Sequence, residues 1–454
     1  MKHHMLFSHL YIFYSAVFLI HMINIFIESE RINYIIGILA ILMLIVSFSR
    51  ATRLFKILGA AFLLVGSYLF FYTGKHIGDI PNLLTSNISL LTLLCMLPWM
   101  SSVVWSGRFD KSLNAIMKYN VIDLGKLYVR SSATTLSLGA FLNLSAISIT
   151  QDVLKENLAK TESSLRNSFM TMSTLRSFSL AVLWSPLEIL LAVSIFVTGV
   201  NYVSLLPWLL VIAAITFTLD NLWGRIYFKK HPYEIEKKME INKKELIKRF
   251  FHLTVALGTF LLLVILCGNI LKINFILSVT LLIFPFSFIW SVLLKRVRTF
   301  WIIGWNTWKQ KTNNMQNFIV LFISLSFFSY SLSNTTFLDV IQKPILYVAD
   351  YPLLIFFVIQ FLFIFLSMFG IHPIAIIGIL TGLITTLIDL FNPLSLAIVI
   401  VTSAMATLTV STYGLIVTLT AINTKQSPYK ITLVNMPYAF MFGGIGSIIA
   451  YFLL

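Results

Sequence analysis

Few side chains in this sequence could do chemistry, and most that could are hydroxyls inside apolar runs. Thr171, Ser173, Thr174 and Ser177 lie in one run; Thr402, Ser403, Thr407 and Thr409 lie in another. Asn143, Ser145, Ser148 and Thr150 make a polar tip between apolar arms, and Ser367, Gly370, His372 and Pro373 make a second. Residues of this kind are short neutral ligands for a polar solute or a dehydrated cation, and Gly, Ser and Asn tolerate the tight backbone that frees N–H and C=O groups. Their competing use is close helix packing, with each hydroxyl bonded back to its own helix.

Ionisable groups inside the apolar runs are scarce and therefore informative. Arg176 sits near the middle of one, where a cation costs ~2.5–3.5 kcal/mol on insertion scales. Its fork suits a carboxylate or oxyanion, which points to substrate contact. Two other uses stay open: a water-filled cytoplasmic vestibule, or a pair with Glu188. The latter is twelve residues on, a helical rise of ~18 Å that only a broken helix would close. Glu188 follows Ser185-Pro186, where proline removes a backbone donor and permits such a break. It is a candidate to carry a coupling proton or to pair with another helix. Asp220 and Asp389 read as charges at helix ends, and His372 as a titratable group or a structural hydrogen-bonder.

The substrate candidates are thus Asn143, Ser145, Ser148, Thr174, Arg176, Ser367, His372, Thr402, Ser403 and Thr407. The coupling-ion candidates are Thr171, Ser173, Glu188 and Gly370. No catalytic set and no metal-ligand spacing is present, so neither an enzyme nor a cofactor is expected, save Na⁺ or H⁺ as coupling ion. Cys95 and Cys267 lie in apolar runs and read as small buried hydrophobes.

The elements that must position these residues are membrane helices. The chain has 454 residues, 58% hydrophobic and 11% charged, with mean hydropathy +0.90; a soluble domain carries about a quarter charged residues. Apolar runs of membrane-spanning length recur throughout, and in lipid their backbone groups must be satisfied within a helix. The run 5–28 has no small-residue cleavage site and reads as a retained helix. Trp99, Trp105, Trp208, Trp223, Trp301, Trp305 and Trp308 fall near run ends, as an interfacial belt would, and 299–311 reads as an amphipathic helix on the cytoplasmic face.

Charge gives orientation. With the N-terminus cytoplasmic, the C-terminus outside and two broken stretches entering and leaving on one side, 28 of the 33 Lys and Arg are cytoplasmic. The net charge of +16 then reflects topology in a cytoplasmic (inner) membrane and contact with anionic lipid headgroups, not nucleic acid.

The pattern also repeats. SPLEILLAV (185–193) pairs with STYGLIVTL (411–419) at an offset of 226, and GAFLNLSAIS (139–148) pairs with FLSMFGIHPI (365–374) at the same offset. The expected architecture is an all-α polytopic membrane protein of about eleven spans. An extra helix (1–31) precedes repeat one (32–224), a basic linker (225–250) and repeat two (251–454). Repeat one holds scaffold 32–107, arm 108–130, hairpin 131–160, broken helix 166–199 and final helix 203–224. Repeat two holds scaffold 251–335, arm 336–350, hairpin 351–388, broken helix 394–422 and final helix 431–454. Each half crosses an odd number of times, so the two are inverted, an arrangement associated with alternating-access carriers.

In this order of elements the chain resembles the ion transporter superfamily, which includes sodium-coupled di- and tricarboxylate symporters, arsenite/antimonite pumps and citrate carriers. The dicarboxylate symporters carry Ser-Asn-Thr at both tips. Here the tips read Asn143-Leu144-Ser145 and Ser367-Met368-Phe369-Gly370, so the resemblance is to the superfamily and not to that branch. It implies a secondary transporter moving a small anion, a carboxylate or oxyanion, coupled to Na⁺ or H⁺, with a homodimer through scaffold helices 32–107 and 251–335. The rival readings are a lipid or polyprenyl-phosphate flippase and a membrane-embedded envelope-assembly enzyme.

Overall fold

The computed structural model describes residues 9–107, 123–142, 144–231, 243–333 and 350–454, and these are helical almost throughout. The first half contains α1 (Leu10–Ile27), α2 (Glu30–Arg50), α3 (Arg53–Tyr72), the single turn α4 (Ile80–Leu83), α5 (Ile88–Ser106), α6 (Leu124–Leu142), α7 (Leu144–Asn157), α8 (Ser163–Leu183), α9 (Ile189–Thr198) and α10 (Tyr202–Phe228). The second contains α11 (Lys243–Leu271), α12 (Phe275–Leu293), α13 (Val297–Asn313), α14 (Gln316–Ser333), α15 (Pro352–Met368), α16 (Pro373–Ile379), α17 (Thr381–Leu390), α18 (Pro393–Thr407), α19 (Leu415–Thr424) and α20 (Pro428–Tyr451). Among the described residues eight helices are long and apolar enough to cross a membrane, or up to ten if each of two bent pairs is one span. The chain is an all-helical polytopic membrane protein.

Local chemistry sets several helix ends. Asn201, Asn274 and Asn392 cap α10, α12 and α18, each side-chain oxygen accepting from a backbone N–H at 2.9–3.0 Å. Pro393 follows its cap at the first helical position, where its missing N–H costs nothing.

Three expected boundaries change. Helix α6 begins at Leu124, so 124–130 belongs to the first hairpin helix and not to an arm; 108–122 lies outside the described residues, as does 334–349 of the second arm. The linker 225–250 is shorter than expected, because α10 continues to Phe228 and α11 starts at Lys243.

The chain divides into two compact units: Met1–Val103, Cys267–Tyr347 and Gly378–Asp389 form the first, and Val104–Leu266, Val348–Ile377 and Leu390–Leu454 form the second. In the first, α3 packs along α14, with Gly59 against Val320 and Gly66 against Phe327. Asn87 ties the start of α5 to α14, its Nδ2 donating to the Phe322 carbonyl at 3.0 Å. Trp99 is buried there, edge-on to Phe284 with ring centres 4.9 Å apart and beside Trp308. It is a core residue, not part of an interfacial belt.

In the second unit α6, α8 and α10 pack together, and so do α15, α18 and α20. Helices α6 and α15 end 226 residues apart, α9 and α19 start and end 226 apart, and α10 and α20 start 226 apart. The helix ends after α9 and α19 use the same left-handed residue, Gly199 at φ 68° and Lys425 at φ 55°. Gly446 of α20 lies against Thr402 of α18, where a Cβ would overlap the threonine side chain. Gly446→Leu is expected to lower thermal stability by about 1–3 kcal/mol, the range for overpacking, measurable by unfolding in detergent.

Candidate transport site

Each broken helix is interrupted by a turn of the same design. In the first, Pro186 sits between α8 and α9, and the Glu188 N–H donates to the Ser185 carbonyl at 3.1 Å. In the second, the Gly414 N–H donates to the Ser411 carbonyl at 2.8 Å. Ser185 and Ser411 are equivalent by the 226-residue offset, and each reaches a hairpin. Ser185 Oγ donates to the Ala140 carbonyl at 2.9 Å, and Ser411 Oγ to the Ser367 carbonyl at 3.3 Å. The C-terminal ends of α6 and α15 are thereby each tied to the helix break that follows.

The two junctions differ in charge. At the first, the buried Glu188 caps α9, its Oε1 accepting from the Leu190 N–H at 3.4 Å. At the second, Gly414 starts α19 with no side-chain cap, so no carboxylate stands at the cap position of that helix's positive end. The second tip turns through Gly370 at φ 87°, a region L side chains avoid, and a Cβ there would come within 3.2 Å of the Tyr413 ring. His372 Nδ1 accepts from the Ile374 N–H at 3.3 Å at the start of α16. The Tyr413 and Tyr429 hydroxyls share a hydrogen bond, and Thr412 bonds to Thr432 at 3.1 Å.

Of the expected site residues, Ser367, His372 and Gly370 are at the second tip and Glu188 is at the first break. Ser148 is half-buried on α7; Asn143 and the Ser145 side chain lie outside the described residues. Of the hydroxyl clusters only Thr409 lies in a break, between α18 and α19. Thr171, Ser173 and Thr174 sit in unbroken α8, and Thr402, Ser403 and Thr407 in unbroken α18, because the prolines and glycines that interrupt the helices come later in sequence. Thr402 and Thr407 bond back to the Ile398 and Ala404 carbonyls at 2.8 and 2.6 Å. The buried hydroxyls of Ser173, Ser177 and Ser403 have no partner among the described residues, and Ser177 and Ser403 are equivalent by the same offset.

Arg176 changes role most. Its Nη1 donates to Asp220 Oδ1 at 2.8 Å, its Nε to Asn435 Oδ1 at 3.0 Å and its Nη2 to the Val434 carbonyl at 3.0 Å. Trp223 and Tyr438 lie over it at 5.0 and 5.3 Å. Asp220 is 3% exposed and also accepts from the Tyr128 hydroxyl at 2.8 Å. Asp220 is therefore a buried counter-ion and not an interfacial charge, and in this conformation Arg176 holds protein groups instead of a substrate. Trp223, 42% exposed, also covers this cation. Sequence reading also missed Ser185 and Ser411 as the groups that tie each break to an earlier helix end, although their alignment at one offset was the signal that could have found them.

The chain matches no family model and no curated protein. Among solved structures, the crystal structure of the YdaH transporter of Alcanivorax borkumensis, described as having an unusual topology, is similar with a TM-score of 0.63. The match covers 87% of this chain and 96% of that chain at 12% identity. The fold is that of a membrane transporter. At this identity the likeness reaches no further than the fold.

Proposed function

We propose that this protein is a secondary active transporter that moves a small anion across the cytoplasmic membrane by alternating access, as the resemblance to the ion transporter superfamily implies. The paired tip–break junctions carry the proposal. Two equivalent, backbone-rich sites on interrupted helices are what a carrier needs to hold a solute with N–H and C=O groups in lipid. The anion's charge is met at the second junction by the uncapped α19 and the polar groups of Ser411, Thr412 and the 367–372 tip, not by Arg176. Glu188 and the unpartnered Ser173, Ser177 and Ser403 are the groups assigned to the coupling ion. The threading that puts basic segments in the cytoplasm sets the orientation, and the superfamily habit would pair two copies through their scaffolds.

The test is a thermal-shift screen of small carboxylates and oxyanions, followed by uptake of a stabilising anion into proteoliposomes. Ser185→Ala and Ser411→Ala should each weaken uptake about threefold, the worth of one intramembrane hydrogen bond. Uptake that neither substitution alters would take the junctions out of the path.

A further inference from the structure

The two repeats differ where one buried glutamine stands. Gln151 of α7 donates through Nε2 to Thr174 Oγ1 of α8 and to Thr420 Oγ1 of α19, both at 2.9 Å. Its Oε1 accepts from Asn423 Nδ2 at 2.9 Å. The same stretch of chain is tied twice more: Gln426 Nε2 donates to Thr171 Oγ1 at 3.2 Å, and Asn167 Nδ2 to the Thr424 carbonyl at 3.0 Å. Four of these bonds join the second half of one repeat's broken helix, and the turn after it, to the hairpin and broken helix of the other repeat; the fifth, Gln151 to Thr174, ties that hairpin to its own broken helix.

The equivalent places 226 residues away hold a different chemistry. Gln151 corresponds to Ile377, Thr174 to Ile400, Asn423 to Val197 and Gln426 to Val200. Thr420 and Thr424 correspond to Ser194 and Thr198, which bond back to their own helix at 2.7 Å. One interface between the repeats is thus zipped by carboxamides and hydroxyls, and its counterpart is apolar. An apolar interface can part only by exposing hydrocarbon to water, whereas neutral amides exchange protein partners for water at a small net cost.

We infer that the Gln151–Thr174–Thr420–Asn423 cluster is a charge-free latch that closes the path on the side of the α19 C-terminus, and that its carboxamides line the hydrated vestibule when it opens. The inference rests on the carrier reading above for its functional meaning. The geometry of the latch stands without it. Such a cluster lets a charged solute pass without holding it, because carboxamides and hydroxyls carry no net charge.

The test uses the full chain with both native cysteines replaced by serine and a single reporter, Thr420→Cys, probed with a membrane-impermeant maleimide. Adding Gln151→Leu, which keeps the volume and removes the bonds to Thr174 and Asn423 that remain in the Thr420→Cys background, should speed labelling about tenfold, equal to ~1.4 kcal/mol. A control reporter, Val197→Cys, should be unaffected. Thr174→Val, which removes one bond of the cluster and the hydroxyl's back-bond to the Met170 carbonyl, should give a smaller rise and covers the case in which Gln151→Leu fails to fold. Unchanged labelling of Thr420→Cys in both variants, or an equal rise at Val197→Cys, would overturn the latch. Faster labelling in a chain that takes up no anion would leave the latch standing and remove the carrier reading instead.

Discussion

Asp220→Asn is expected to destabilise the protein by about 3–5 kcal/mol, and Arg176→Ala by a similar amount, because each leaves a buried partner uncompensated. The size follows from the surroundings. Both side chains are almost wholly buried, and the pair is embedded in a network that includes Tyr128, Asn435, the Val434 carbonyl and the Tyr438 hydroxyl, which donates to the Arg176 carbonyl at 2.9 Å. The network joins α6, α8, α10 and α20, elements of both repeats. Pro437 lacks the donor that would hold α20 closed at this level, and the Val434 carbonyl beside that opening accepts from the guanidinium. Thermal unfolding of the solubilised chain measures the loss.

The double variant Arg176→Gln with Asp220→Asn separates a clasp from a binding group. Two amides keep a hydrogen bond between them and remove both charges, so stability should recover most of the loss. If Arg176 acts only as a clasp, transport recovers with stability. A variant that folds as well as the parent but takes up no anion would return Arg176 to the substrate.

The residues behind these expectations show how far the sequence is legible. Membrane spans stand out because lipid forces each one to be long and apolar, which no tertiary contact can override. The 226-residue offset was legible through Ser185 and Ser411, since each opens a turn and also bonds to an earlier helix end. Partners were not legible. Asp220 lies 44 residues from Arg176 and Thr420 lies 269 from Gln151, and which faces of two helices meet depends on rotation and tilt that a hydropathy pattern does not encode. Asp220 in particular stands in the same stretch near the C-terminal end of α10 whether it faces headgroups or the core of the unit. Most of the hydroxyl clusters were misplaced for a related reason: a Ser/Thr-rich stretch resembles a broken helix in composition, but the helix-breaking Pro186 and Gly414 come after residues 171–177 and 402–407.

Glu188→Gln should abolish the dependence of the protein on its coupling ion. The two junctions share a backbone design, yet only the first carries a carboxylate, and Glu188 stands where the other repeat has Gly414. A buried carboxylate in lipid is costly, and each proton, cation or helix N-terminus that meets it lowers the cost. Helix α9 supplies about half a charge. One proton or one Na⁺ is therefore worth more at this junction than at its neutral counterpart, and its departure is felt by the Ser185 contact to the hairpin three residues earlier. Thermal unfolding can read this without knowing the solute. One arm compares NaCl with choline chloride at fixed pH; the other varies pH in choline. The parent should be stabilised in one arm, by about 2.7 kcal/mol at a hundredfold excess of ion over its dissociation constant. In that arm Glu188→Gln should be flat, while Asp389→Asn, at an exposed helix end, responds like the parent. A Gln variant that keeps the response would place the ion elsewhere, with Ser173, Ser177 and Ser403 the next groups to replace. A parent flat in both arms would end coupling to either ion, and the carrier would then have to run as an exchanger driven by its own solutes.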